Sequence, residues 1–219
     1  SQASADVPEP LSPGTTVSEL RGIATSMFFR LCWRAPCTEI RESMRESLHS
    51  NAPAKVLHSR FMKGNATVLA YLQDVLKAEL TAINQYFLHA EMQQNWGYLK
   101  LYKHTRKESI DEMKHAEEVL ERMLYLDGSP NVADLGPIRI GQNVKAQFEN
   151  DLALEMEAVP RLNAAIKAAT EAGDNGSRDL FERILVDEEE HVDYLEAQLH
   201  MIEEIGLANY LAQQMHEEA

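Results

Sequence analysis

Residues 108–119, ESIDEMKHAEEV, and residues 184–195, ILVDEEEHVDYL, decide how this chain folds. Each holds a glutamate followed three residues later by a histidine: Glu112 with His115, and Glu188 with His191. On a helix that spacing puts both side chains on one face, a turn apart. The flanking positions are apolar, Val119 beside the first pair, Ile184 and Leu195 around the second, so each pair interrupts a stripe that should pack inward. In both cases another glutamate stands 33 residues upstream, Glu79 before Glu112 and Glu155 before Glu188. Glu79 lies on the line Leu72, Val75, Ala82, Tyr86, and Glu155 on the line Phe148, Leu152, Val159, Leu162. Either Glu-x-x-His alone is most simply read as part of a solvated, Glu-rich face. That reading does not explain a matched double set on four apolar stripes.

The punctuation around these motifs is helical. A first helix runs from Asn65 to about Asn95, Trp96-Gly97 marks a turn, and a second helix runs from about Lys100 to Leu126. Residues 127–142 contain Gly128, Pro130, Gly136, Pro137 and Gly141 and read as a long connection. Asn143 is placed to cap a third helix, in which Pro160 should remove one backbone bond and introduce a kink. Gly173-Asp174-Asn175-Gly176 reads as a turn, with Ser177 capping a fourth helix that runs to about Ile205. Gly206 breaks it and leaves a short last helix around Asn209 to Met215. Two short turns and one long connection predict an all-α fold: a four-helix bundle with one long crossover and a short C-terminal fifth helix.

The bundle is then two similar hairpins, each supplying one Glu and one Glu-x-x-His. Pseudo-twofold pairing would bring four carboxylates and two imidazoles to one point. A lone buried carboxylate costs several kcal/mol unless it is neutralised or paired. Four carboxylates balance two divalent cations, and carboxylate oxygen with imidazole nitrogen suits Fe(II), Mn(II) or Zn(II). The expected metal ligands are therefore Glu79, Glu112, His115, Glu155, Glu188 and His191. Tyr86, two turns from Glu79 on the same face, would either hydrogen-bond at this centre, supply an electron, or simply pack in the core.

Composition sets the limits around this reading. With 44% hydrophobic and 26% charged residues the chain suits a globular protein, and no apolar run approaches the ~20 residues of a membrane span. The formal net charge of −14 argues against nucleic acid and favours cationic partners. That charge resides in residues 62–219; residues 1–61 are near neutral and read as a separate N-terminal extension of unassigned function. The extension begins with a Pro-, Gly-, Ser- and Thr-rich arm and carries one candidate amphipathic helix through Leu20, Ile23, Met27 and Leu31. It fits neither a secretory signal, because Arg30 interrupts a short apolar stretch, nor a transit peptide, because its charges nearly cancel. Cys32 and Cys37 match no common zinc spacing, and the remainder has no cysteine, which suits a reducing cytoplasm.

From Met62 to Ala219 the chain resembles the bacterioferritins, through Met62-Lys63-Gly64, ELTAINQYFLH at 79–89, ESIDEMKHA at 108–116, DLALE at 151–155 and DEEEH at 187–191. The resemblance implies a ferritin-like bundle in which Glu112 and Glu188 bridge two irons, Glu79 and Glu155 bind terminally, and His115 and His191 each ligate one metal. It implies iron storage by a ferroxidase, with Fe(II) and O2 or peroxide as substrates. It further implies a homo-oligomeric shell of 24 subunits built from twofold dimers, and allows a ferredoxin as electron donor for iron release. Haem b is implied between paired subunits, with Met113 as its ligand. One residue along a helix turns a side chain by ~100°, so Met113 should point sideways if Glu112 points inward; interface packing is the simpler reading of such a thioether. Such proteins usually begin at the Met-Lys-Gly, so residues 1–61 are either a true extension or upstream sequence from a misassigned start. Besides Pro160, two positions depart from the pattern. Lys107 stands where some members have a histidine of an inner-surface iron site with Asp111, and Tyr194 where some have tryptophan.

A di-iron or di-manganese peroxidase or catalase is the main rival. A rubredoxin module would need paired Cys-x-x-Cys, which the sequence lacks. A haem-carrying or scaffold subunit with a degenerate metal centre is a third reading, but all six ligands are present.

Overall fold

A computed structural model describes residues 63–215. The readings of the N-terminal extension and of Met62 lie outside the described residues. Among the described residues five helices follow in order: α1 (Ala66–Asn95), α2 (Leu99–Tyr125), α3 (Val144–Glu171), α4 (Asn175–Ile205) and α5 (Leu207–Ala212). The fold is the expected all-α bundle, with α1 packed on α2, α3 on α4, and α1 against α3 joining the hairpins.

Helix starts follow their caps. The Asn65 side chain accepts from Thr67 N at 2.8 Å, and Asn143 accepts from Ala146 N at 3.0 Å. The start of α4 differs from expectation, because Asp174 and not Ser177 is the cap. Asp174 Oδ1 accepts from Ser177 N at 3.0 Å and Oδ2 from the Ser177 hydroxyl at 2.8 Å. Arg122 also pairs with Asp174, and a Cβ on Gly176 would stand 2.8 Å from its guanidinium. Gly176 therefore belongs to the first turn of the helix and leaves room for that arginine. The last helix likewise starts at Leu207, directly after Gly206 at φ 78°, not at Asn209. Pro160 does not interrupt α3. It lies on the exposed side of the helix, as does Met156 one turn earlier, whose carbonyl it cannot bond.

The inward stripe of α1 runs as expected through Val68, Leu72, Val75, Glu79, Ala82, Tyr86 and Ala90. On α3 the buried face is rotated from the expected line. Asp151 and Ala158 are buried, whereas Leu152 and Val159 are half-buried. Alanines at 158, 165 and 169 keep this face thin against its neighbours, and Asp151 finds a polar partner inside.

The core falls into two apolar clusters. The larger includes Leu72, Leu76, Val119, Met123, Leu162, Phe181 and Ile184. The smaller groups Leu101, Val144, Phe148, Leu195, Ile202 and Tyr210, with α5 closing that end. Each fully buried Leu, Ile, Val or Phe stabilises by about 1.5–3 kcal/mol. The layer between the clusters is polar and holds all the sequence-predicted ligands.

The crossover, residues 126–143, is fastened along α1 by a side chain at every fourth position. Asn131 exchanges hydrogen bonds with Gln73, and Lys77 pairs with Asp134 at 2.9 Å. Gly136 N donates to Thr81 Oγ1, Arg139 N to Gln85 Oε1, and Gly141 N to His89 Nε2 at 3.0 Å. A Cβ on Gly141 would lie 2.2 Å from Gln147 N, so only glycine fits at the last rung.

Candidate metal centre

Six side chains from four helices meet between the two apolar clusters. They form two overlapping sets, Glu79, Glu112, His115, Glu188 and Glu112, Glu155, Glu188, His191, and within each set the ligand atoms lie within 4.8 Å of one another. Glu112 and Glu188 belong to both sets. The four glutamates are each 3% exposed or less. Equal 33-residue intervals place equivalent turns of each hairpin at the same depth, which is why the two Glu-x-x-His motifs face each other.

In each imidazole Nδ1 turns inward and Nε2 outward. His115 Nδ1 lies 3.2 Å from Glu112 Oε2 and 3.7 Å from both Glu79 Oε2 and Glu188 Oε1. His191 Nδ1 lies 3.0 Å from Glu188 Oε2 and 3.2 Å from Glu112 Oε1. Behind the rings, His115 Nε2 meets Asp187 Oδ2 at 3.0 Å and His191 Nε2 meets Glu108 Oε2 at 2.6 Å. A carboxylate on the far nitrogen fixes ring orientation and leaves the near nitrogen free for a cation. Glu112 Oε1 is buried and receives no properly directed hydrogen bond, which leaves a lone pair aimed into the centre.

The electrostatics agree with a cation-shaped demand. Burial, followed by the charge of Glu188, pushes the Glu79 and Glu155 carboxyls well above the usual range. Glu188 is also raised, by burial and then by Glu112. Burial would raise Glu112 as well, but the hydrogen bond from His115 and the nearby His191 imidazole outweigh it and hold this carboxylate low. Burial opposes the charged form of His115, yet its hydrogen bond to Glu112 and the nearby Glu79 carboxylate push it up to about 12, and His191 shifts the same way. Protons thus stand where positive charge is required, and two divalent ions with neutral imidazoles would meet the same need.

Tyr86 reaches across the bundle and donates to Glu155 Oε1 on α3; its hydrogen-bond partner is not Glu79 on its own helix. Burial, then the charges of Glu155 and Asp151, keep this phenol protonated far above its ordinary range. Met113 is half-buried on the flank of the bundle, resting on the larger core cluster. Asp111 is held between Lys107 at 2.7 Å and Lys114 at 2.5 Å, so its carboxylate is already occupied. The Tyr194 ring lies against His104, tilted by 38° with centroids 3.7 Å apart.

Sequence reasoning missed Glu108, Asp187 and a buried network behind Tyr86. In that network Gln85 Nε2 donates to Asp151 Oδ1 at 2.8 Å, and His89 Nδ1 lies 2.9 Å from the same oxygen. Because Gly141 N donates to His89 Nε2, the ring proton is on Nδ1 and faces Asp151. A signal existed for Glu108, four residues before Glu112 and so on the same face. None existed for Asp187, whose helix position alone points it elsewhere.

Comparison with known proteins agrees with this geometry. The family model described as the Ferritin-like domain matches residues 69–205. A bacterioferritin of Mycolicibacterium paratuberculosis is 51% identical over 152 residues, a match covering 69% of this chain and 96% of that protein. A bacterioferritin of Streptomyces coelicolor is 49% identical over 151 residues, covering 69% and 90%. One of Rhodobacter capsulatus is 43% identical over 145 residues, covering 66% and 90%.

Proposed function

The chain belongs to the ferritin family and, by these relatives, to its bacterioferritins; from that premise we propose that it stores iron by oxidising Fe(II) at the six-ligand centre. The observation that carries the proposal is the pair of overlapping donor sets sharing Glu112 and Glu188. Glu79 and His115 would take one Fe(II), Glu155 and His191 the other, with Glu112 and Glu188 bridging. Two Fe(II) ions give up one electron each. With two protons, O2 is reduced to hydrogen peroxide, or hydrogen peroxide to two waters, and Fe(III) passes to the mineral. Glu108 and Asp187 hold the imidazoles in the ligating tautomer, and Tyr86 orients Glu155.

Storage requires a hollow homo-oligomer, and 24 subunits arranged as twofold dimers is the assembly proposed. Residues 62–219 would form its bundle subunit. Met113 offers a soft neutral thioether beside a half-buried apolar flank, a donor that fits haem b shared between two copies of the chain. Haem, when bound, supplies one-electron redox chemistry, and an external ferredoxin-type donor would complete iron release.

Glu112→Ala removes a shared ligand and should slow rapid Fe(II) oxidation by at least a hundredfold, beyond the ~10–100-fold typical of an outer partner. Stopped-flow absorbance on the whole protein measures this, with particle size measured in parallel. Wild-type rates in the variant would overturn the ligand assignment. A small particle that forms no mineral would return the peroxidase or catalase reading.

A further inference from the structure

Beside the His191 half of the centre lies a narrow cleft lined by Tyr86, His104, Glu108, Asp151, His191 and Tyr194. Glu108 spans it. One carboxylate oxygen, Oε2, is on His191 Nε2 at 2.6 Å, while Oε1 is 3.8 Å from His104 Nδ1. His104 precedes Glu108 by one turn of α2, and its side chain is 33% exposed, so it stands where the cleft meets solvent. We propose that His104 and Glu108 form a third divalent-cation site per subunit, a holding position for Fe(II) next to the His191 half of the dinuclear centre.

The spacing suits one ion. A cation ~2.1 Å from an imidazole nitrogen and ~2.1 Å from a carboxylate oxygen fits between donors 3.8 Å apart without backbone movement. The His104 ring is already held by close, tilted contact with the Tyr194 ring. Burial lowers its affinity for a proton, partly offset by Glu108, which leaves the imidazole available as a ligand at neutral pH. Lys107 Nζ is 3.4 Å from Glu108 Oε1, but it is exposed and also held by Asp111 at 2.7 Å. An arriving cation therefore displaces it from Glu108 while that second partner remains. The neighbouring Asp111, closed by Lys107 and Lys114, has no equivalent opening.

The proposal rests on Fe(II) as substrate, and its test is separable from that reading. Crystals of the whole metal-free protein are soaked in Co(II), and anomalous difference maps are collected at the cobalt edge. The wild type should show three peaks per subunit, one of them between His104 Nδ1 and Glu108 Oε1. His104→Phe keeps a ring against Tyr194 but removes the nitrogen, and should lose that peak alone. Glu112→Ala should lose the dinuclear pair and keep the third peak, so failure of one site is distinguishable from failure of the other. No peak at His104 in the wild type would overturn the proposal, and so would a peak that survives in His104→Phe. Should His104→Phe fail to fold, the wild-type map decides alone.

Discussion

The hairpins α1–α2 and α3–α4 carry the same three ligands at the same intervals, but what stands behind those ligands differs. A shift of 76 residues relates Glu79 to Glu155, Glu112 to Glu188 and His115 to His191. The same shift relates Glu108 to Ile184, Asp187 to Asp111, Tyr86 to Leu162 and Met113 to Glu189. His191 is thus backed by a buried Glu108 at 2.6 Å, while His115 is backed by Asp187, whose side chain is 53% exposed. Glu155 receives a tyrosine hydroxyl, and its counterpart Glu79 receives none from Leu162. The six clustered side chains are symmetric, as the proposed two-metal chemistry would need. Their supports are asymmetric because each hairpin also meets different neighbours, and under the proposed function the two metal positions should differ in affinity.

The largest expected effect concerns the one-sided thioether. Met113→Leu keeps volume and apolarity, so stability should change by less than ~1.5 kcal/mol. Because the proposed twofold pairing would use Met113 from both copies, haem should fall from about one per two subunits to essentially none, read from the visible spectrum. Retention of a normal haem spectrum would reduce Met113 to an interface residue.

Removing the outer carboxylates measures the asymmetry directly. Glu108→Ala should weaken Co(II) or Zn(II) binding at the His191 position by ~10–100-fold. Asp187→Ala should cost less than about tenfold at His115, since water can replace an exposed partner. Equal losses in calorimetric titrations would break the comparison. Tyr86→Phe is expected to slow oxidation on the order of fivefold, about one hydrogen bond, with metal stoichiometry unchanged. An equal loss of metal from both halves would show that Tyr86 supports the bundle and not Glu155.

The smallest effect lies at the helix starts. Asn143 caps α3 with a neutral side chain, whereas Asp174 caps α4 with a titrating one. Burial would raise Asp174, but hydrogen bonds from Ser177 and Arg122 outweigh it and hold the carboxyl below its usual value. A depressed folded value means this cap stabilises above the ordinary carboxylate range and is lost as pH falls through the folded value. Asp174→Ala should cost ~1 kcal/mol at neutral pH and progressively less in acid. Thermal melts across pH test this, and a penalty that does not shrink in acid would contradict it.

The helices and the six residues that cluster between them were legible in the sequence itself. Helical periodicity is local, and a glutamate on an apolar stripe is conspicuous at any position along it. The equal 33-residue intervals then carried the match between hairpins, because helix rise converts sequence interval into depth. Less legible were the exact face of α3 and the cap of α4. Asp151 turns inward only because His89 and Gln85 wait on another helix, and Asp174 caps because Arg122 reaches it from α2.

By itself the sequence determined an all-α bundle of two like hairpins and a four-carboxylate, two-imidazole centre. Periodicity and spacing are properties of one chain segment at a time. Only the tertiary structure decided that Glu108 backs His191, that Asp187 backs His115, that Tyr86 serves Glu155, and that the crossover is laced to α1 through Gln73, Lys77, Thr81, Gln85 and His89. Those pairings depend on how far each helix is rotated and slid against its neighbour. Packing of the two apolar clusters sets that rotation, and no interval within a single helix encodes it.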